Sequence, residues 1–166
     1  MIIYPKKYLT NILEITPEFL KENNIKGLIL DIDNTLINFD KEILEGTKVW
    51  CEQNKINGIK MCILSNTNKV EKVKKVATEL DLPYLYFAKK PCKGGFRRAK
   101  ELLGLNEENI GVVGDQIFTD VIGANRSKMY SILTKPIDKR DILATRIKRP
   151  LENLVIKRYL KREAKK

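Results

Sequence analysis

Leu28-Ile29-Leu30-Asp31-Ile32-Asp33-Asn34-Thr35-Leu36 is the stretch whose reading decides the fold. A short, unbroken aliphatic run of this kind suits a strand buried on both faces of a parallel sheet. It ends in two carboxylates spaced by one residue, at the carboxyl end of the strand, where open α/β sheets bind their ligands. Two carboxylates this close repel, and both ionise readily only with a cation beside them. A divalent metal satisfies both and also neutralises phosphate oxygens. Taken alone, Asp-x-Asp after a strand is often no more than a turn.

Moving outward, three further strand ends carry polar groups in register with the first. Val112-Val113-Gly114-Asp115-Gln116-Ile117-Phe118-Thr119-Asp120 repeats the theme, with a glycine that allows close approach and a third carboxylate for the metal. Cys62-Ile63-Leu64 runs into Ser65-Asn66-Thr67, where hydroxyl, amide and helix-opening N–H groups can hold a phosphate or simply cap the helix that follows. Ala88-Lys89-Lys90-Pro91 offers a fixed cation, Lys89 or Lys90, with Pro91 favouring an extended Lys90.

Between these ends, segments of helical period alternate with the apolar runs, which predicts an α/β fold with helices on both faces. The expected strands are Gly27–Leu30, Ile59–Leu64, Tyr84–Phe87, Ile110–Val113 and Tyr130–Leu133, a five-stranded parallel sheet. The expected helices are Glu42–Asn54, Asn68–Leu80, Phe96–Leu103 and Thr119–Ser127. Upstream, Tyr4–Ile15 places Tyr8, Leu9, Ile12 and Leu13 on one helical face, and Thr16-Pro17 opens a second short helix. Downstream, a helix is expected to break at Arg149-Pro150 and resume as Leu151–Lys166, with Leu151, Leu154, Val155 and Tyr159 as an apolar stripe. The organisation expected is an amphipathic arm (1–24), a core (25–135) and a basic helical tail (136–166).

Composition narrows the chemistry. With 166 residues, 43% of them hydrophobic, one domain with a real core is expected. No apolar stretch approaches a membrane span, and Pro5 and two lysines break the opening run, so a cytoplasmic protein is expected. The chain has no histidine, which excludes Ser-His-Asp triads, His-ligated zinc and imidazole general bases. Its three cysteines have neither CxxC nor disulfide-scaffold spacing. Cys92-Lys93-Gly94-Gly95-Phe96-Arg97-Arg98 fits the loose C-x5-R pattern of a cysteine phosphatase loop, but no histidine precedes the cysteine, and a substrate-facing or merely solvated basic loop is the preferred reading. The net charge is +11; from Arg146 onward nine lysines and arginines face only Glu152 and Glu163. Such a tail suits an anionic membrane or nucleic acid, or is merely a solvated helix end.

The four strand ends, in this order, resemble the haloacid dehalogenase (HAD) superfamily, whose motifs read DxDxT, a strand ending in Ser or Thr, a Lys, and GDxxxxD or a close variant. The resemblance covers roughly residues 25–135. It implies a Rossmann-like core and a Mg2+-dependent phosphatase in which Asp31 is the nucleophile and a metal ligand. Asp33 would act as general acid and base and bind metal through its carbonyl, and Asp115 would be the remaining protein ligand. Asp120 would stand just behind the ligands, and Thr35, Ser65, Asn66 and Lys90 would hold the phosphoryl group, Lys90 being preferred to Lys89 because the family's lysine commonly precedes proline.

Only about 25 residues separate Asp40 from Ser65, and Ser65 from Lys90, so no cap domain is expected. An open site suits a phosphate presented on something large. The arm, LDIDNTL, AKKP followed by Phe-Arg-Arg-Ala, and GDQIFTDVIGAN look like the YqeG-type branch, related to mitochondrial phosphatidylglycerophosphate phosphatases. That resemblance implies conversion of phosphatidylglycerophosphate to phosphatidylglycerol by an enzyme peripheral on anionic lipid. The alternatives are a polynucleotide or nucleotide phosphatase, with Tyr159 the tail's only aromatic and no stacking platform, and a non-catalytic nucleic-acid-binding module on the same fold.

Overall fold

The computed structural model describes residues 1–140 and 143–165. Strands β1 (Lys7–Leu9), β2 (Gly27–Leu30), β3 (Lys60–Leu64), β4 (Tyr84–Leu85), β5 (Ile110–Gly114) and β6 (Tyr130–Thr134) form one sheet in the order β1-β6-β5-β2-β3-β4. Every pairing is parallel. Helices α1 (Pro17–Glu22), α2 (Thr47–Ile56), α3 (Val70–Leu80), α4 (Lys93–Leu103), α5 (Ile122–Arg126) and α6 (Leu143–Glu163) connect and cover it.

Strand alternation sends side chains to two cores. Leu28 and Leu30 of β2 and Met61 and Ile63 of β3 join Ile12, Ile15, Trp50, Val73 and Leu80 on one face. Ile29, Cys62 and Leu64 join Phe96, Ala99, Leu103 and Met129 on the other. Burial on both sides is why these strands read as unbroken aliphatic runs. Chain order reverses between β2 and β5, which lie side by side with Leu30 opposite Val113, so Asp31 and Asp115 emerge next to each other.

The sheet has six strands, one more than the sequence indicates. The segment read as an amphipathic helical arm is extended at β1, where Lys135 N–H donates to the Leu9 carbonyl (3.1 Å) and Lys6 N–H to that of Ser131 (3.0 Å). The exposed edge of β6 offers backbone partners that an isolated turn of helix cannot match. Ile12 then turns into the core while Leu13 stays exposed. The second short helix starts as expected, with Thr16 Oγ1 accepting from Phe19 N–H at 3.2 Å.

Three helices differ from their sequence reading, the one expected over Thr119–Ser127 being a π turn (Ile117–Val121) followed by the short α5. α2 begins at Thr47 rather than Glu42, because Asn38 Oδ1 accepts from Glu42 N–H (2.9 Å) and Ile37 bridges Ile43, closing a turn that precedes the helix. α6 runs from Leu143 to Glu163 without the break expected at Arg149-Pro150. Pro150 lies on the exposed side, where water can satisfy the carbonyl its missing N–H would have bonded. The stripe read on this tail also divides: Val155 and Ile156 pack on Ile117, Val121 and Leu133, and Tyr159 is buried, whereas Leu151 and Leu154 face outward with Ile147. No helix among the described residues is long and apolar enough to cross a membrane.

Candidate active site

Three buried carboxylates meet at the carboxyl edge of the sheet. One oxygen from each of Asp31, Asp115 and Asp120 lies within 4.8 Å of the others. Asp31 follows β2 and is locked to the next strand by its own N–H, which donates to the Val113 carbonyl at 2.9 Å. Asp115 follows β5. Asp120 arrives through a wide π turn (Ile117–Val121) that folds its carboxylate back over Gly114. A Cβ at residue 114 would sit 2.2 Å from Asp120 Cγ, so only glycine admits this approach.

Lys90 is the buried counter-charge. Its Nζ donates to Asp31 Oδ1 at 2.6 Å and to Asp120 Oδ1 at 2.7 Å. Lys89 points outward, its ammonium 5.0 Å from the centre of the Phe87 ring. Asn66, expected on the phosphate, is engaged with the Lys90 backbone: its side chain donates to the Lys90 carbonyl (3.1 Å) and accepts from the Lys90 N–H (2.6 Å). It therefore fixes the backbone from which the cation reaches inward. Ser65 is buried and its Oγ accepts from Thr67 N–H (3.3 Å), which leaves the hydroxyl proton to give. Thr35 Oγ1 donates to Asp115 Oδ1 at 3.5 Å.

Asp33 lies apart from the three. Its carboxylate is half-buried at the edge of a cavity and is paired with Lys72 of α3. Lys72 escaped the sequence reading; it sits one helical step inside the segment that follows Ser65-Asn66-Thr67, and that position was its available signal.

The second unanticipated cation comes from the tail. Arg149 of α6 donates through Nη2 to Asp115 Oδ2, and through Nη1 to the Asp115 carbonyl (2.8 Å) and to Glu152 Oε2 (3.2 Å). Glu152 is buried and also accepts from Phe118 N–H at 3.1 Å. The tail helix is thus tied into the loop that carries Asp115 and Asp120. A signal did exist: Glu152 shares a helical face with Val155, Ile156 and Tyr159, the face that packs inward.

Burial dominates the electrostatics. It pushes Asp31 up to about 7; Lys90 opposes this, while Asp120 and Asp33 add to it. Asp115 is likewise raised by burial and by Asp31, against the pull of Arg149. For Lys90, burial would lower the value, but Asp120 and Asp31 outweigh it and hold the lysine charged. Three buried carboxylates against two cations leave negative charge uncompensated, and an all-oxygen donor set suits a hard divalent cation. Asp31 and Asp115 fit that role, and Asp120 also offers an oxygen to the cluster.

Cysteine chemistry finds no support. Cys92, at the start of α4, and Arg98, on that helix, are exposed around a concavity separate from the carboxylate cluster. Burial pushes the Cys51 and Cys62 thiols up to about 11 and about 12, so neither forms a thiolate readily.

The comparisons agree with this geometry. Residues 1–138 match the model of the family described as mitochondrial PGP phosphatase. The chain is 40% identical over 153 residues to the probable phosphatase YqeG of Bacillus subtilis, covering 92% of this chain and 88% of that one. It is 25% identical to a chloroplastic/mitochondrial phosphatidylglycerophosphate phosphatase 1 of Arabidopsis thaliana, covering 98% of this chain but 50% of the plant protein. Its fold is shared with a HAD phosphatase from Thermococcus onnurineus, with a TM-score of 0.52 at 23% identity over 61% of this chain and 51% of that one. With its strand-end carboxylates and buried lysine in place, the chain belongs to the YqeG/PGP phosphatase family of HAD-type phosphoric monoester hydrolases.

Proposed function

We propose that the protein is a magnesium-dependent phosphatase that removes the terminal phosphate of phosphatidylglycerophosphate through an aspartyl-phosphate at Asp31. The observation that carries the chemistry is the buried contact of Lys90 with both Asp31 and Asp120, 2.6 and 2.7 Å, at the reversal point of the sheet. The substrate assignment is supported by the family match across residues 1–138 and by the plant relative.

Asp31 attacks phosphorus while Lys90 and the Ser65 hydroxyl hold phosphoryl oxygens. Asp33, oriented by Lys72, gives a proton to the departing alkoxide, then takes one from the water that hydrolyses the aspartyl-phosphate. Asp31 and Asp115, with the Asp33 carbonyl, would hold a magnesium ion, whose charge offsets that of the phosphoryl oxygens. At the surface, Ile147, Leu151 and Leu154 of α6 are exposed, and Lys157, Arg158 and Lys161 follow on the same helix. Apolar side chains next to cations suit peripheral contact with an anionic bilayer, worth ~1 kcal/mol per cation.

The test is phosphate release from phosphatidylglycerophosphate in anionic vesicles, with magnesium or chelator, beside an aryl phosphate and a 3′-phosphorylated oligonucleotide. Magnesium-dependent preference for the vesicles is expected. Turnover of the soluble esters alone would retain the chemistry and remove the lipid; preference for the oligonucleotide would replace it.

A further inference from the structure

We propose that the cavity beside the carboxylate cluster holds a second anion subsite, formed by Lys41 and Lys69, which takes a phosphodiester carried a few bonds from the scissile phosphomonoester. The proposal rests on the phosphatase reading of Asp31 and names the part of the substrate that the site recognises.

A cavity of about 300 Å³ opens beside Asp33 and Asp115, with Lys41, Lys69, Lys72 and Arg140 in its wall. Two of these cations are committed. Lys72 is on Asp33, and Arg140 is held by Asp40 and Asp138, each at 2.7 Å. The ammonium groups of Lys41 and Lys69 have no ionic or hydrogen-bond partner among the described residues. They come from separate segments and line one concavity. Lys41 sits in the turn after β2 in a left-handed conformation (φ +66°), its N–H donating to the Asn38 carbonyl at 3.1 Å. Lys69 precedes α3, with its N–H on Thr67 Oγ1 at 3.1 Å.

Like charges gathered in a concavity repel, and a bound anion reverses the sign of that interaction. The scissile phosphate does not fill this role, because its partners Asp31 and Lys90 are buried whereas Lys41 and Lys69 are exposed. A second anionic group on the same substrate does. About 300 Å³ is the lower end for small-ligand cavities, enough for a glycerol bridge and a phosphodiester but not for acyl chains. The chains would remain outside, and α6, which contributes Thr145 to the cavity, also bears the exposed Ile147. A phospholipid headgroup with a diester and a terminal monoester meets all of these conditions.

The experiment compares kcat/KM for glycerol 3-phosphate with that for the water-soluble, deacylated headgroup glycerophosphoglycerol phosphate, with a nucleoside 3′,5′-bisphosphate as a third substrate. Wild type is expected to favour the headgroup over glycerol 3-phosphate by about tenfold or more, mostly in KM and less at high salt. In Lys41→Ala/Lys69→Ala this ratio should fall towards one, and in Lys41→Glu/Lys69→Glu below one. A wild-type ratio of one, or a ratio that survives both double variants, would overturn the subsite while the phosphatase stands. Lys41- and Lys69-dependent preference for the bisphosphate alone would overturn the headgroup assignment. Failure to hydrolyse any of these esters or an aryl phosphate would remove the reading of Asp31 and the subsite together.

Discussion

Two cations serve the carboxylate cluster from distant parts of the chain, and they are held very differently. Lys90 leaves a short loop after β4, is almost fully buried, bonds Asp31 and Asp120, and has its own backbone clamped by Asn66. Arg149 comes from the tail helix, retains some exposure, and grips Asp115 through both its carboxylate and its carbonyl. The difference separates two tasks. Lys90 balances charge where phosphate would be transferred, while Arg149 sets the position of a carboxylate from behind and depends on α6 staying docked.

The largest effect should follow from removing the first cation. Lys90→Met is expected to lower turnover about 10³-fold, the scale of losing one preorganised charge in a water-poor site. It should also destabilise the fold by ~3 kcal/mol or more, because Asp31 and Asp120 would remain buried without their counter-charge. Steady-state phosphate release and chemical denaturation read the two losses. Arg149→Met should cost less, about 10- to 100-fold in kcat, and Arg149→Lys should restore little of it, since lysine cannot grip carboxylate and carbonyl together. If the two substitutions proved equally damaging, the contrast between the cations would disappear.

Magnesium provides a third test. Burial raises Asp31 to about 7, so a proton competes with metal below that pH. The rise in Tm on adding magnesium should therefore be larger near pH ~8 than near pH ~6. Glu152 should act in a smaller way. Burial raises its carboxyl above the usual range, so the folded protein keeps that proton to a higher pH than the unfolded chain does. Stability then falls as pH rises from the unfolded value through the raised one, a loss that Glu152→Gln lacks. The Tm of the variant relative to wild type should accordingly improve with pH across that window. Cys92→Ser, on the rim of a separate concavity, should leave turnover unchanged in the same assay.

The pattern of what the sequence revealed follows the range of the interactions. β2, β3 and β5 were legible because burial on both faces demands unbroken aliphatic runs, and each run ends in the polar groups that surround the site. β1 was not: three residues carry no period, and their extension depends on the free edge of β6. Lys90 could be read from its place before Pro91, although its link to Asn66 could not, since that contact spans 24 residues of chain. Arg149 is hidden inside a run of cations on a helix that Pro150 is expected to break. Only the docking of α6 through Val155, Ile156 and Tyr159 selects Arg149 from its charged neighbours.

The most direct measurement of the central claim is the site of the covalent intermediate. An Asp33→Asn variant turning over an aryl phosphate, whose leaving group needs no general acid, should form the aspartyl-phosphate and hydrolyse it slowly. After acid quenching, peptide mass spectrometry should find phosphate on Asp31, and none when Asp31 is also changed to Asn. Phosphate on Cys92 or another side chain, or wild-type turnover in Asp31→Asn, would contradict it.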